Sequence, residues 1–200
     1  MESKIISINE AKSFVENLPY SETKENIIDH LNGEWYNDEG EYEPNVILYD
    51  GDVTMESLEV GENIILVNGN LKVSGNIEDC IEVDLSFLFV LGNLESGNLF
   101  TFSQICIAGN LTVKNTIVAD SGGDYSLDVK GNLKSNTIFE NGHTFSIEGE
   151  IVANDIFVNH SDLTQNLEEE DFNEEIRNCY ENGTSEIMKY VKEGNYNFRN

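Results

Sequence analysis

Between residues 45 and 160 the chain alternates inward-type and mixed positions with a period of two, and it does so six times in one register. Glycines at 51, 69, 92, 109, 131 and 149 mark the repeats. Two residues before them stand Tyr49, Val67, Val90, Ile107, Val129 and Ile147, and four before stand Ile47, Ile65, Leu88, Ile105, Leu127 and Phe145. Two residues after them come Val53, Leu71, Leu94, Leu111, Leu133 and Ile151. Every one is apolar or aromatic, whereas the position just before the glycine is mixed, from Asp50 to Leu91 to Lys130. A strand with one buried face has this period.

The marker glycines are 18, 23, 17, 22 and 18 residues apart, so two steps together span 39 to 41 residues. Hairpins have no reason to keep such a spacing, but a coil must close each turn above the last. Seven or eight residues past each glycine lies Leu58, Ile77, Leu99, Ile117, Ile138 or Ile156, a second inward strand per turn. The pattern predicts an all-β parallel β-solenoid of about six rungs over residues 46–160. Rungs stack at about 4.8 Å, giving a rod about 30 Å long. Asp52, Asn70, Asn93, Asn110, Asn132 and Glu150 follow the glycines. Gly-Asn suits a bend, since glycine takes positive φ freely and asparagine tolerates it. Stacked asparagines can also hydrogen-bond along the coil.

The flanking segments read as helical. Ser7-Ile8-Asn9-Glu10 is a capping box, followed by Ala11, Phe14, Val15 and Leu18 on one face. Ser21 opens a second helix with Ile27, Ile28 and Leu31 inward, and residues 33–44 form an acidic loop around Trp35, Tyr36 and Tyr42. Phe172, Ile176, Cys179 and Tyr180 mark a third helix; Ile187, Tyr190 and Val191 mark a fourth, stopped at Gly194. A coil with bare ends exposes its core and its strand edges, so residues 1–45 and 161–200 are expected to be short helical caps at both ends.

Charge changes the functional picture. There are 38 acidic against 11 basic residues, a formal charge of −27. Residues 1–45 hold 11 acids and 3 bases, residues 46–160 hold 17 and 4, and residues 161–200 hold 10 and 4. Such an even coat disfavours nucleic acid and anionic membrane and attracts basic proteins. No apolar stretch approaches the length of a membrane span, and no apolar run follows Met1-Glu2-Ser3-Lys4 as a signal peptide would require. Cytoplasmic residence is expected. Cys80, Cys106 and Cys179 match no zinc or redox spacing, and His30, His143 and His160 read as ordinary surface or loop residues.

Phosphate-binding, zinc-protease and hydrolase motifs are missing, so neither a cofactor nor a metal is expected. The turn Asp120-Ser121-Gly122-Gly123-Asp124 lacks the repeated register that binds calcium in stacked turns and reads as a plain acidic turn. The acid pairs Glu78-Asp79 and Glu82/Asp84 are what a glycosidase would need. Among 38 acids, chance proximity is ordinary. Several phenylalanines fall outside the inward columns, among them Phe89, Phe100, Phe102, Phe139 and Phe157. Exposed phenylalanines inside an acidic rim would anchor a partner. The expected partner-binding residues are therefore Glu34, Asp38, Glu39, Glu41, Glu43, Glu78, Asp79, Glu82, Asp84, Phe89, Phe100 and Phe102.

The rungs VNGNLKVSGNI (67–77), VLGNLESGNLF (90–100), IAGNLTVKNTIV (107–118), VKGNLKSNTIF (129–139) and IEGEIVANDIFV (147–158) resemble those of a group of acidic bacterial β-solenoid proteins, with the pattern G-[DN]-L-x-V-x-N-hydrophobic. KEGNYNFR (192–199) is similar to that group's ending. The group is associated with genes for secreted toxins, so the resemblance implies an immunity protein that binds a basic toxin domain as a monomer or small oligomer. A looser likeness to bactofilins implies a structural scaffold; here the helical ends and the alternating rung lengths depart from that pattern. A β-solenoid carbohydrate-active enzyme is the third reading.

Overall fold

Hydrogen bonds running from each rung to the next set the frame of the molecule. The computed structural model describes residues 3–18, 21–33, 36–37, 40–41, 44–79, 86–160 and 162–200. A short strand β1 (Lys4–Ile6) leads into helices α1 (Ile8–Glu16) and α2 (Ser21–Leu31), then a small hairpin of β2 (Tyr36–Asn37) and β3 (Gly40–Glu41). The first rung is β4 (Asn45–Tyr49), β5 (Val53–Met55) and β6 (Leu58–Glu59). The second and third are β7 (Asn63–Val67) with β8 (Leu71–Glu78), and β9 (Phe87–Val90) with β10 (Leu94–Thr101). The fourth is β11 (Gln104–Ile107), β12 (Leu111–Val113) and β13 (Thr116–Ala119), and the fifth is β14 (Ser126–Val129), β15 (Leu133–Lys134) and β16 (Thr137–Glu140). The sixth is β17 (Thr144–Ile147), β18 (Ile151–Val152) and β19 (Asp155–Val158), followed by α3 (Glu174–Asn182) and α4 (Thr184–Lys192).

All rung-to-rung pairings are parallel, and they build three faces. The first is β4-β7-β9-β11-β14-β17, with β1 antiparallel on the outer edge of β4. The second runs through β5, the start of β8 and β10, β12, β15 and β18; the third through β6, the ends of β8 and β10, β13, β16 and β19. β8 and β10 are single strands that bend from one face to the next, with a register shift between Ser96 and Asn98. The expected columns meet in register: Leu111 pairs with Leu94 on one side and Leu133 on the other, and all three are fully buried.

The marker glycines serve a purpose other than the expected one. Of the six, only Gly51 has positive φ, at 132°. The others are needed for space at the first corner. A Cβ on Gly109 would lie 2.6 Å from the Gly92 carbonyl oxygen and 2.7 Å from Asn93 Oδ1. The next residue forms the ladder. Backbone N–H and Nδ2 of Asn70 both donate to Asp52 Oδ1, and Asn93 and Asn110 repeat this one rung up each. Asn132 and Glu150 continue it through their backbone N–H groups. An acceptor alone suffices at the first step, which is why an aspartate fits there.

Helices follow the coil at its C-terminal end, so the expected caps are present in part, and the packing of both helix pairs is on side faces. On the first face the outward position reads Leu48, Leu66, Phe89, Cys106, Asp128 and Ser146 from rung to rung. The first four are buried and pack with Ala11, Val15, Ile27 and Leu31 of α1 and α2. On the third face it reads Glu59, Glu78, Phe100, Val118, Phe139 and Phe157. The last four are buried under Ile176 of α3, Ile187 and Val191 of α4, and Phe172 and Phe198. The helix pairs are thus staggered, one over rungs one to four and the other over rungs three to six. An apolar outward column needs a cover more than an edge does, since its burial is worth roughly 25 cal/mol per Å².

Candidate functional site

Five of the twelve expected partner-binding residues have described side chains, and three of these, Asp79, Phe89 and Phe100, are buried. Glu34, Asp38, Glu39, Glu43, Glu82 and Asp84 lie outside the described residues, as do Trp35, Tyr42 and Cys80; Glu41 falls on β3. Phe89 and Phe100 are fully buried, which overturns their assignment as exposed anchors. Phe89 stacks with Phe87 at 6.0 Å and meets the edge of the His30 ring from α2 at 5.9 Å. Phe139 and Phe157, also outward by register, stack on one another at 5.0 Å beneath the C-terminal helices.

Glu78, Asp79, Phe100 and Phe102 are brought together at one corner, but to hold the fold. Glu78 pairs with Lys192 of α4 at 2.6 Å, and that ammonium lies 5.4 Å over the Phe100 ring. The Asp79 carboxylate is buried and accepts hydrogen bonds from Thr101 Oγ1 and from the backbone N–H groups of Phe102 and Ser103. Burial pushes its pKa up to about 7, against those hydrogen bonds. Phe102 is half-buried beside the third-face cluster.

His143, expected at the surface, is 1% exposed, and neither of its ring nitrogens makes a hydrogen bond of good geometry. Burial drops its pKa to about 4. Beside it, the fully buried Glu140 carboxylate accepts the backbone N–H groups of His143, Asn159 and His160. The acidic turn is engaged as well: Asp120 Oδ2 accepts from Thr184 Oγ1 at the start of α4 and from Asn141 Nδ2. Burial, then Asp128, pushes the Cys106 thiol up to about 12, so it is no ready nucleophile. Among the described residues no group of three His, Cys, Asp or Glu is placed to hold a metal ion, and no helix is long and apolar enough to cross a membrane.

Two surface regions stand out among the described residues. An open groove of about 340 Å³ on the second face is lined by the ladder side chains Asp52, Asn70 and Asn93 and by the exposed pair Lys72–Glu95, 2.7 Å apart. The other is the end of the coil at rung six. Val129 O accepts the Glu148 N–H, but among the described residues no strand follows β17 to take the equivalent carbonyl of Ile147. Phe145, Ile147 and Ile151 are only partly buried, and Val152 is 54% exposed. Sequence reasoning overlooked this edge by placing helices over it. A signal existed, since the ladder ends in Glu150 where an asparagine would have continued it. Compared with family models, curated proteins and solved structures, the chain gives no match, so the functional reading rests on its own residues.

Proposed function

We propose that the chain is a non-enzymatic binding protein, acting in the cytoplasm as an immunity protein that neutralises a cognate bacterial toxin domain by covering a basic surface on it. The observation that carries this reading is the charge of −27, spread over all three parts of the chain. Toxins acting on nucleic acid or nucleotides have basic clefts, and an acidic coat is complementary to one. Such complementarity speeds encounter, while desolvated contacts set residence time. The resemblance of the rungs to acidic, toxin-associated solenoid proteins supports the same reading. Against the enzyme reading, Glu78 and Asp79 are engaged with Lys192 and Thr101.

The test is co-expression with toxin domains, beginning with any encoded beside this chain. Rescue of the cells and a stable complex are expected, with association slower at about 0.5 M than at about 0.05 M salt, because screening shortens to a few Å. Absence of both rescue and complex for every such domain overturns the reading. The bactofilin-like scaffold stands second, favoured by the edge of rung six, on which no further strand pairs among the described residues. Filaments of the purified chain in electron micrographs would put it first.

A further inference from the structure

Among the described residues the last rung ends in a sheet with no further strand, and the chemistry of that edge is specific. Each earlier rung gives its outward-pointing backbone groups to the next one. Val90 O accepts from Ala108, Ile107 O from Lys130 and Val129 O from Glu148. Ile147 occupies the same register position in β17, so its carbonyl points where a seventh rung would lie. On the third face the outward groups of Ile156 are covered. There Asn166 folds back on β19, its Oδ1 accepting from Ile156 N, while Asn166 N and Leu167 N donate to Ile156 O. Among the described residues the opening therefore runs along β17 and β18, which carry Phe145, Ile147 and Ile151 at the end of the core, where Leu163 from the following segment also packs.

We propose that the outer edge of β17, continuing into β18, is a docking strand for an extended, basic segment of a partner protein, which adds to the coil as a seventh rung. The inference rests on the reading of this chain as a binder of basic proteins and names the surface involved. Main-chain hydrogen bonds would supply affinity, and alternate apolar side chains of the added strand would cover the core end. Charge selects the occupant. Glu148 and Glu150 are exposed beside the edge, and the nearby Lys130 is already paired with Glu148. A second copy would bring these acids against its own, and both copies carry −27. Lysine or arginine on the added strand meets the same acids favourably.

The probe is a fluorescently labelled peptide of about nine residues, a typical strand length, alternating valine and lysine. A valine–glutamate peptide is the control. The wild-type chain should bind the first and not the second. Ile147→Pro removes an outward N–H to which no described residue is bonded, and should weaken binding by about tenfold or more. Glu148→Lys with Glu150→Lys should weaken it to a similar degree and keeps the result readable if the proline variant fails to fold. Undiminished binding in the folded variants overturns the edge while leaving a basic partner in place, and so does a wild-type chain that ignores the lysine peptide yet still rescues toxin-expressing cells. A concentration-dependent dimer that Ile147→Pro abolishes assigns the edge to a second copy instead and likewise overturns the proposal.

Discussion

Gly109 has no room for a methyl group, and its neighbour Asn110 does no more than pass one step of a ladder. A Cβ on Gly109 would meet backbone oxygen at 2.6 Å. Gly109→Ala is therefore expected to cost about 1–3 kcal/mol, as overpacking does. Asn110→Ser removes exposed side-chain hydrogen bonds and should cost about 1 kcal/mol or less. Leu111→Asp would bury a carboxylate and should cost several kcal/mol, a large part of a typical stability. Chemical denaturation of the three variants checks the order. Two buried titratable groups act in opposite directions. Asp79 rises from 3.8 to about 7, so the folded chain keeps a proton there that the unfolded chain has released. Its contribution to stability is present below the lower value and is lost as pH rises through about 7. His143 falls from 6.5 to about 4, so its contribution is present above 6.5 and is lost as pH falls through about 4. Each slope is at most about 1.4 kcal/mol per pH unit. Between pH 4.5 and 6.5, Asp79→Asn should make stability rise more steeply with pH than in wild type, and His143→Gln should do the reverse. Superimposable pH profiles would show that neither group titrates with the fold.

At the scale of elements, the strands were legible and the seating of the helices was not. The inward columns alternate with period two in six rungs, so chance cannot imitate them. The capping box of α1 is present as read, with Ser7 Oγ accepting the Glu10 N–H and the Glu10 carboxylate accepting the Ser7 N–H. Where the helices dock depends on outward residues, and a lone outward phenylalanine looks the same whether a partner or a helix covers it. Phe89 and Phe100 were misread for that reason. Aligned by register, however, the outward columns give the footprints directly: apolar from Leu48 to Cys106 on one face, and from Phe100 to Phe157 on another. His143 was misread differently, because a turn position in sequence does not report the neighbouring rung that buries it. Removing residues 168–200 should expose Phe100, Phe139 and Phe157 and cause dye binding and aggregation through a side face, with the strands retained in circular dichroism. Ser7→Ala should cost only about 1 kcal/mol, the usual worth of such a cap.

At the scale of the whole molecule, 27 uncompensated negative charges keep copies apart. A discrete monomer or small oligomer is expected in light scattering. Raising salt from about 0.05 M to about 0.5 M should raise thermal stability, since screening relieves self-repulsion. A melting temperature that falls as salt rises would mean that the few ion pairs, such as Arg199–Asp155 and Lys192–Glu78, outweigh the repulsion.

The stagger of the two helix pairs has a dynamic consequence. Only rungs three and four lie beneath both covers. Phe89 and Phe100 in the third rung, and Cys106 and Val118 in the fourth, are buried on the outside while their neighbours in each strand fill the core. Among the described residues rung six has neither the N-terminal cover nor a strand beyond β17. Amide exchange in the native state should therefore be slowest across residues 87–119 and faster toward rung six, with residues 144–152 opening first. The rod would fray from its C-terminal end while its centre stays shut, and sub-global opening would spread along the axis one turn at a time.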